Sequence, residues 1–515
     1  MKLRSRLGSP AITCLAALVA TGLVAAGCSG ATTDTGSSQG GGTLVVGYTA
    51  EPNTLDPWKA TQFQAIHLLE QVYGTLTQLD KDLNVVPGLA EKWEYSDDNT
   101  TLTMTLRQGV MFHDGKPLTS ADVKSSIERI KAPETAAVAA ATLASVESVE
   151  APDPQTVVLH LAAPDAGLLA GLATTNLAII SKDDTSESLA SEPNGTGPFK
   201  FDSRTAGQSI KLVANPNYWG GKPKLDGLEF RIIPDQTSVV AGLQSGNIHF
   251  AALDDPLVAR SAESSGLTVQ KTPNLSYHVL QLNARRAPLD NKNVRLAIQC
   301  AIDRKQVLDT AALGEGEVVG PITSPAYRSD PNARPCPTRD VEKAKQLLAE
   351  AGFAGGVTIP TIVSQGEYAT SVNEAQNLQA QLKDAGITLQ VETLESGAYV
   401  DRWVAADFSA AVALNGGRPD PDGMYGRYFT STGNLNKVAG YSSPELDQLF
   451  AEGKATTDVA KRKEIYAQIS RHLEENAVWV WLFSSYVYTA STPGVSGFTP
   501  MPNGSLQYLR ETSLS

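Results

Sequence analysis

Cysteine is scarce in this 515-residue chain, with four in all, and no Cys-x-x-Cys spacing joins any two of them. That excludes the thiol pairs of dithiol redox motifs and of zinc ribbons. Histidine is scarce as well: there are six, and no His-Glu-x-x-His stands among them, which excludes the helical zinc-protease motif. His113 and Asp114 precede Gly115 in a hairpin-like turn with no second histidine at ligand spacing, so both read as structural. The run Asp420-Pro421-Asp422-Gly423 lacks the remaining ligands and the terminal glutamate of a calcium loop. Neither a metal nor a cofactor is expected. Basic runs are missing too, and the formal net charge is −13, which argues against nucleic acid as a partner. A G-x-S-x-G pattern does occur, from Gly36 to Gly40, but in a stretch that reads as structureless; a nucleophile elbow needs a strand before it and a helix after it.

What the chain does have is size: 42% hydrophobic residues over 515 positions is ample for more than one core. Positions 1–27 read as a secretory signal, with Lys2, Arg4 and Arg6 ahead of an apolar stretch over 11–26. It closes on Ala25-Ala26-Gly27-Cys28, the layout of a lipobox, in which Cys28 takes a diacylglycerol. Residues 28–42 are, after Cys28, mostly Gly, Ser, Thr and Gln with one Asp, and read as a flexible tether to the membrane. With Cys14 removed and Cys28 lipidated, Cys300 and Cys336 remain, and two leftover thiols outside the cytoplasm favour a disulfide.

The most informative stretch is 192–253. A Gly-Thr-Gly-Pro turn at 195–198 leads into a strand, and the glycines there are expected to take backbone angles that other residues avoid. Short strands over 210–213 and 225–233 follow. Val239, Val240, Leu243 and Ile248 then keep helical spacing before a returning strand over 249–253, which makes a βαβ-type unit. Alternation over 101–106 predicts a half-buried strand, and Thr119 or Ser120 with Asp122 predicts a capped helix over 121–130. The alanine-rich segment 132–149 is expected to be helical. Beyond it, 277–283 alternates as a strand, 293–303 is helical, and helix-then-strand pairs recur at 340–363 and 377–391. Ser443 caps a helix over 444–453, 461–475 is a long helix, and 478–482 a buried strand.

The order GTGPF, NPNYWGGKPKLD and then a strand followed by AGLQSGNI, together with PNTLDP near the start, resembles the extracellular solute-binding proteins of the peptide and nickel transport family. These are the capture components of ATP-binding-cassette importers. The resemblance implies an α/β, type II periplasmic-binding-protein fold: two lobes joined by a hinge and an extra small α+β domain in the first lobe. It divides the chain into lobe I (43–60, 182–275 and 483–515), a small inserted domain (61–181) and lobe II (276–482). It further implies a monomeric receptor, not an enzyme, that passes its ligand to a membrane permease with ATPase subunits. A secreted hydrolase is the reading from another class, and no Ser, His and acid set stands in a context that supports it.

For the ligand, the resemblance points to Thr61, Gln62 and Phe63, which follow the Leu-Asp-Pro triplet, and to the loop LNGGRPDPDGMYGRYF over 414–429, with Asn415, Gly416, Gly417, Arg418, Asp420, Asp422 and Tyr425. Peptide-binding relatives place an aspartate a few residues before the Asp-Pro pair to meet the peptide's amino group, and the loop backbone lies along the peptide like an added strand. Here Gly417 or Arg418 takes that place. A guanidinium repels an ammonium and pairs with a carboxylate or phosphate. Either Asp420 or Asp422 then serves the amine, or the ligand is an oligosaccharide, an opine or other anionic metabolite, or a metal chelate. Trp403, Tyr425, Tyr428, Trp481 and Tyr486 are the aromatic candidates, and Tyr277 and Asn283 flank the cleft region.

Overall fold

The structure, a computed structural model, describes residues 41–365 and 368–515. The signal segment, Cys28 and nearly all of the tether lie outside the described residues.

The first strand, Thr43–Tyr48, is buried at five of its six positions and pairs in parallel with Gly227–Ile232 on one side and Phe250–Leu253 on the other. The βαβ unit read from the sequence therefore exists as Gly227–Ile232, helix Gln236–Gln244 and Phe250–Leu253, but the first strand is inserted between its two strands. Asp235 caps the helix by accepting from Ser238 N at 2.7 Å. Ser209–Ala214 and Phe199–Thr205 extend the sheet antiparallel to its edge.

Trp479–Ser491 joins this sheet to a second group of strands. Its 13 residues are far more than the five expected over 478–482. Its last residues pair with Phe250–Leu253 and its first with Tyr277–Leu282, so one sheet of 12 strands continues through it. Beyond Tyr277–Leu282 come Ala410–Asn415, Val357–Gln365 and Ile387–Glu395. Helices Lys292–Cys300, Val341–Glu350 and Ser371–Lys383 pack on these strands through Val294, Ile298, Leu347, Leu348, Leu378 and Leu382, a periodicity of three and four that puts one apolar face inward. Cys300 and Cys336 are joined by a disulfide within this core. Among the described residues no helix is long and apolar enough to cross a membrane.

A separate four-stranded antiparallel sheet holds Ala90–Tyr95, Thr101–Leu106, Thr156–Leu161 and Val146–Asp153. Here the expectation of helix over 132–149 fails. Only two short 3-10 turns form, Pro133–Thr135 and Ala140–Leu143, and Val146–Asp153 is a strand. The hairpin partner decides this: Val146 lies opposite Leu161 and Val149 opposite Leu159, so β-branched side chains are buried in a ladder that outweighs alanine's helix preference. The helix after Thr119 forms as read, Ser120–Lys131, with Asp122 closing a capping box.

The Gly-Thr-Gly-Pro turn differs from expectation in its physical reason. Neither Gly195 nor Gly197 has a positive φ. A Cβ on Gly195 would lie 2.0 Å from Val72 O, and one on Gly197 2.5 Å from Gln71 O, so the turn needs glycine for close approach to the end of helix Phe63–Val72. His113 secures it: Nδ1 accepts from Gly195 N at 3.4 Å while Nε2 donates to Gly197 O at 3.1 Å. Burial pushes that imidazole down to about 4, so it is neutral.

Candidate functional site

A cavity of about 480 Å³ opens beside the carboxyl ends of the central strands. Tyr48 and Thr49 end the first strand, Leu253 and Asp254 the third of the parallel set, and Gly416 and Gly417 follow Ala410–Asn415; all six line the cavity. In open α/β sheets, ligands collect at such strand ends because the loops there are free to vary around a fixed frame. One wall is helix Phe63–Val72, whose Phe63, His67 and Glu70 repeat on one side at spacings of four and three. Leu275, Ser276, Gly416 and Gly417 also line the cavity, as do residues of the returning tail between Phe498 and Arg510.

This lining depends on Gly417. A Cβ there would stand 2.1 Å from Leu275 O, which already accepts from Thr323 Oγ1 at 2.5 Å. Backbone therefore faces the cavity at this point.

The wall is mostly neutral. Burial pushes the His67 imidazole down to about 4. Burial likewise pushes the Glu70 carboxyl up to about 8, opposed by hydrogen bonds from Ser505 and the Leu506 N–H and by the charge of Arg510. Ser505 Oγ donates to Glu70 Oε2 at 2.7 Å and Leu506 N to Oε1 at 2.5 Å. Arg510 is engaged by Gln78 Oε1 at 3.2 Å and Glu511 at 3.6 Å. Asp254, also raised by burial, meets Gln236 Nε2 at 3.4 Å.

Of the residues singled out in the sequence, the cavity brings together Phe63, Gly416 and Gly417. Phe63 is 68% exposed at its mouth, an aromatic face open to a ligand. The others do not line the cavity. Thr61 is exposed and accepts from Asn53 Nδ2 at 3.3 Å, and Gln62 precedes the helix with its N–H on Asn53 Oδ1 at 3.4 Å. Trp403 Nε1 donates to Gln281 Oε1 at 2.7 Å, and Gln281 Nε2 to buried Asn415 Oδ1 at 3.4 Å. Tyr425 is buried, stacks on Tyr277 with centroids 5.8 Å apart, and donates its hydroxyl proton to Pro321 O. Tyr428 and Trp481 are core residues of the same cluster. Asp420 is bound by Arg462 through two contacts, 2.5 and 2.9 Å. Half-buried Asp422 is pushed up to about 6, first by burial and then by the neighbouring charges of Asp420 and Asp165. Arg418 is exposed and lies off the cavity, its guanidinium lowered by burial of part of its surroundings and by Arg427.

Sequence reasoning missed Tyr48, His67, Glu70 and the tail residues Ser505 to Arg510. An acid within the apolar run Ala-Ile-His-Leu-Leu-Glu-Gln-Val was the available signal for Glu70. Also missed was a Ser, His and acid set: His278 Nε2 lies 3.0 Å from Ser485 Oγ and Nδ1 2.8 Å from Glu374 Oε1. Its context does not suit acyl transfer. Ser485 is in the body of Trp479–Ser491, laddered opposite Gly316, whereas a nucleophile needs a turn with free N–H groups for the oxyanion. Among the described residues, no three or more His, Cys, Asp or Glu side chains are grouped to hold a metal ion.

Residues 84–436 match the model of bacterial extracellular solute-binding proteins, family 5 (middle region). The chain belongs to this family. Heme-binding protein A of Haemophilus influenzae (strain ATCC 51907 / DSM 11121 / KW20 / Rd) is 30% identical to the solute-binding protein over 481 residues, 84% of this chain and 85% of the relative. Glutathione-binding protein GsiB of Escherichia coli O157:H7 is 27% identical over 474 residues, 89% of this chain and 92% of that protein. Among solved structures, HbpA2 from Haemophilus parasuis superposes with a TM-score of 0.85 at 26% identity, covering 92% of this chain and all (100%) of the other. The mixed α/β architecture is thus that of the type II periplasmic-binding-protein class. Family members are extracytoplasmic substrate-binding receptors that carry small ligands to ABC permeases, and the relatives are not enzymes.

Proposed function

We propose that this solute-binding protein captures short peptides outside the cytoplasmic membrane and hands them to a permease driven by separate ATPase subunits. It acts as a monomer without catalytic activity, held to the membrane by the lipid on Cys28. The two lobes divide as 43–60, 182–275 and 483–515 against 276–482, with 61–181 as the inserted domain, and the chain crossings between the lobes, after 275 and after 482, are the hinge.

The observation that carries the ligand class is the Gly416-Gly417 stretch of the lining, where no side chain stands between the main chain and the cavity. An extended peptide pairs with that stretch through its own backbone, independent of its sequence, while alternate side chains enter the space around Phe63 and Met501. A volume of about 480 Å³ is within the range of small-ligand sites. The name of one relative is in keeping with this, since glutathione is a tripeptide. The ligand bridges both sides of the cleft, so binding favours the closed arrangement.

The test is native mass spectrometry of the mature protein purified without denaturation, with bound material released and fragmented. A ladder of peptides is expected. A single sugar, tetrapyrrole or anionic metabolite would overturn the peptide assignment, and steady turnover of any released compound would overturn the receptor role. Loss of membrane association in Cys28→Ala tests the anchor.

A further inference from the structure

We infer that the Glu70 carboxylate receives the ligand's primary ammonium, so that amine recognition is built into helix Phe63–Val72 and the C-terminal tail and not into the Asp420 loop. This rests on the peptide-receptor reading above and assigns its charge-recognition group.

The carboxylates of the loop are not free for this role. Asp420 gives both oxygens to Arg462, and neither it nor Asp422 lines the cavity. The two acids that do line it are Asp254 and Glu70. Glu70 is the one whose position is fixed, because Ser505 Oγ and Leu506 N each hold one of its oxygens. A carboxylate has about four acceptor sites, so two remain for a ligand. No ion pair neutralises Glu70 among the described residues. The charged and titratable groups that face it are few. Arg510 comes from the tail and is engaged by Gln78 and Glu511. His67, one turn earlier on the same helix, is held neutral. Tyr48, from the first strand, is near enough for a charge on Glu70 to raise it further.

Tyr48 supplies the second, independent observation. Tyr48 is 4% exposed and lines the cavity, and its hydroxyl has no hydrogen-bond partner among the described residues. An unpaired buried hydroxyl costs stability unless something arrives to pair with it. An ammonium has three N–H donors, which suits a carboxylate with spare acceptor sites beside a free phenol oxygen. An anion would meet an acid and no disengaged cation.

Proton balance follows. The empty site holds Glu70 as the acid up to about pH 8. When the ammonium enters, Glu70 gives its proton to solvent and the ion pair takes its place. Above about pH 8 the ligand's α-amine loses its own proton. Binding is therefore strongest near pH 8 and falls on either side.

The experiment measures binding of an equimolar tripeptide library and its N-acetylated counterpart to the full mature chain, by native mass spectrometry with calorimetry on the strongest binder, at pH 6 and pH 8. In wild type the free-amine library should bind at least tenfold tighter than the acetylated one, and about twenty-fold tighter at pH 8 than at pH 6. Glu70→Gln should lose both preferences. If the acetylated library binds equally well, or Glu70→Gln keeps the preferences, the Glu70 assignment is overturned and the peptide reading stands. If neither library binds wild type, the peptide reading itself fails and takes this inference with it. Should Glu70→Gln not fold, the acetylation penalty and pH optimum of wild type decide alone.

Discussion

Arg462 holds Asp420 through both carboxylate oxygens, Nη1 to Oδ2 at 2.5 Å and Nη2 to Oδ1 at 2.9 Å, with the two side chains only 4% and 12% exposed. Arg462 also donates to Gly453 O at 2.8 Å and lies under the rings of Tyr327 and Tyr466. The pair thus fastens the loop after Ala410–Asn415 to helix Val459–Glu475 and serves architecture. Removing one partner strands a buried charge. Asp420→Ala should destabilise the protein by about 3 to 5 kcal/mol in urea unfolding, and adding Arg462→Met should recover part of that loss. Additive losses in the double variant would contradict the coupling.

The cavity lining makes a sharper distinction between two adjacent glycines. Gly417→Ala forces a methyl onto Leu275 O, while a Cβ on Gly416 has nothing within 4 Å. The first should weaken ligand binding tenfold or more and cost about 2 kcal/mol of stability; the second should leave the melting temperature unchanged. Calorimetry and thermal melting of both variants check this.

Cys300 and Cys336 are 36 positions apart in sequence, and closing that loop restricts the unfolded chain. Reduction should lower stability by about 3 to 4 kcal/mol, and alkylation without reductant should label neither residue. Both readouts come from one unfolding series with and without reductant.

Asp422 sets a pH trend. Its folded pKa is about 6, above the ordinary carboxylate value of about 3.9, so between these limits the folded state binds more protons than the unfolded one. Its stabilising contribution is complete below about pH 4 and is lost as pH rises through 6. Wild type minus Asp422→Asn, followed by urea unfolding from pH 4 to pH 7, should therefore fall with rising pH. A difference that stays flat would remove Asp422 as the source.

Local signals carried far in this chain. Ser120–Lys131, Tyr277–Leu282 and Pro444–Ala455 form where capping residues and hydrophobic period placed them, because the information that makes these elements lies within a few residues. The run from GTGPF to AGLQSGNI identified the family from residues that are mainly scaffold. Tertiary structure decided the rest. Val146–Asp153 became a strand because its hairpin partner buried Val146 and Val149. Gly195 and Gly197 proved necessary for contact with a helix more than 120 positions away. Asp420 and Tyr425 sit in a motif that reads as ligand-binding, yet Arg462, 42 positions on, and Pro321, 104 positions back, claim them. Glu70 faces the cavity beside Ser505 and Leu506, at separations of 435 and 436. Sequence alone determined the elements whose caps and hydrophobic period lie within a few residues, and the family to which the chain belongs. Which side chains are spent on the frame and which stay free for a ligand is a matter of long-range partners, and only the folded chain brings those together.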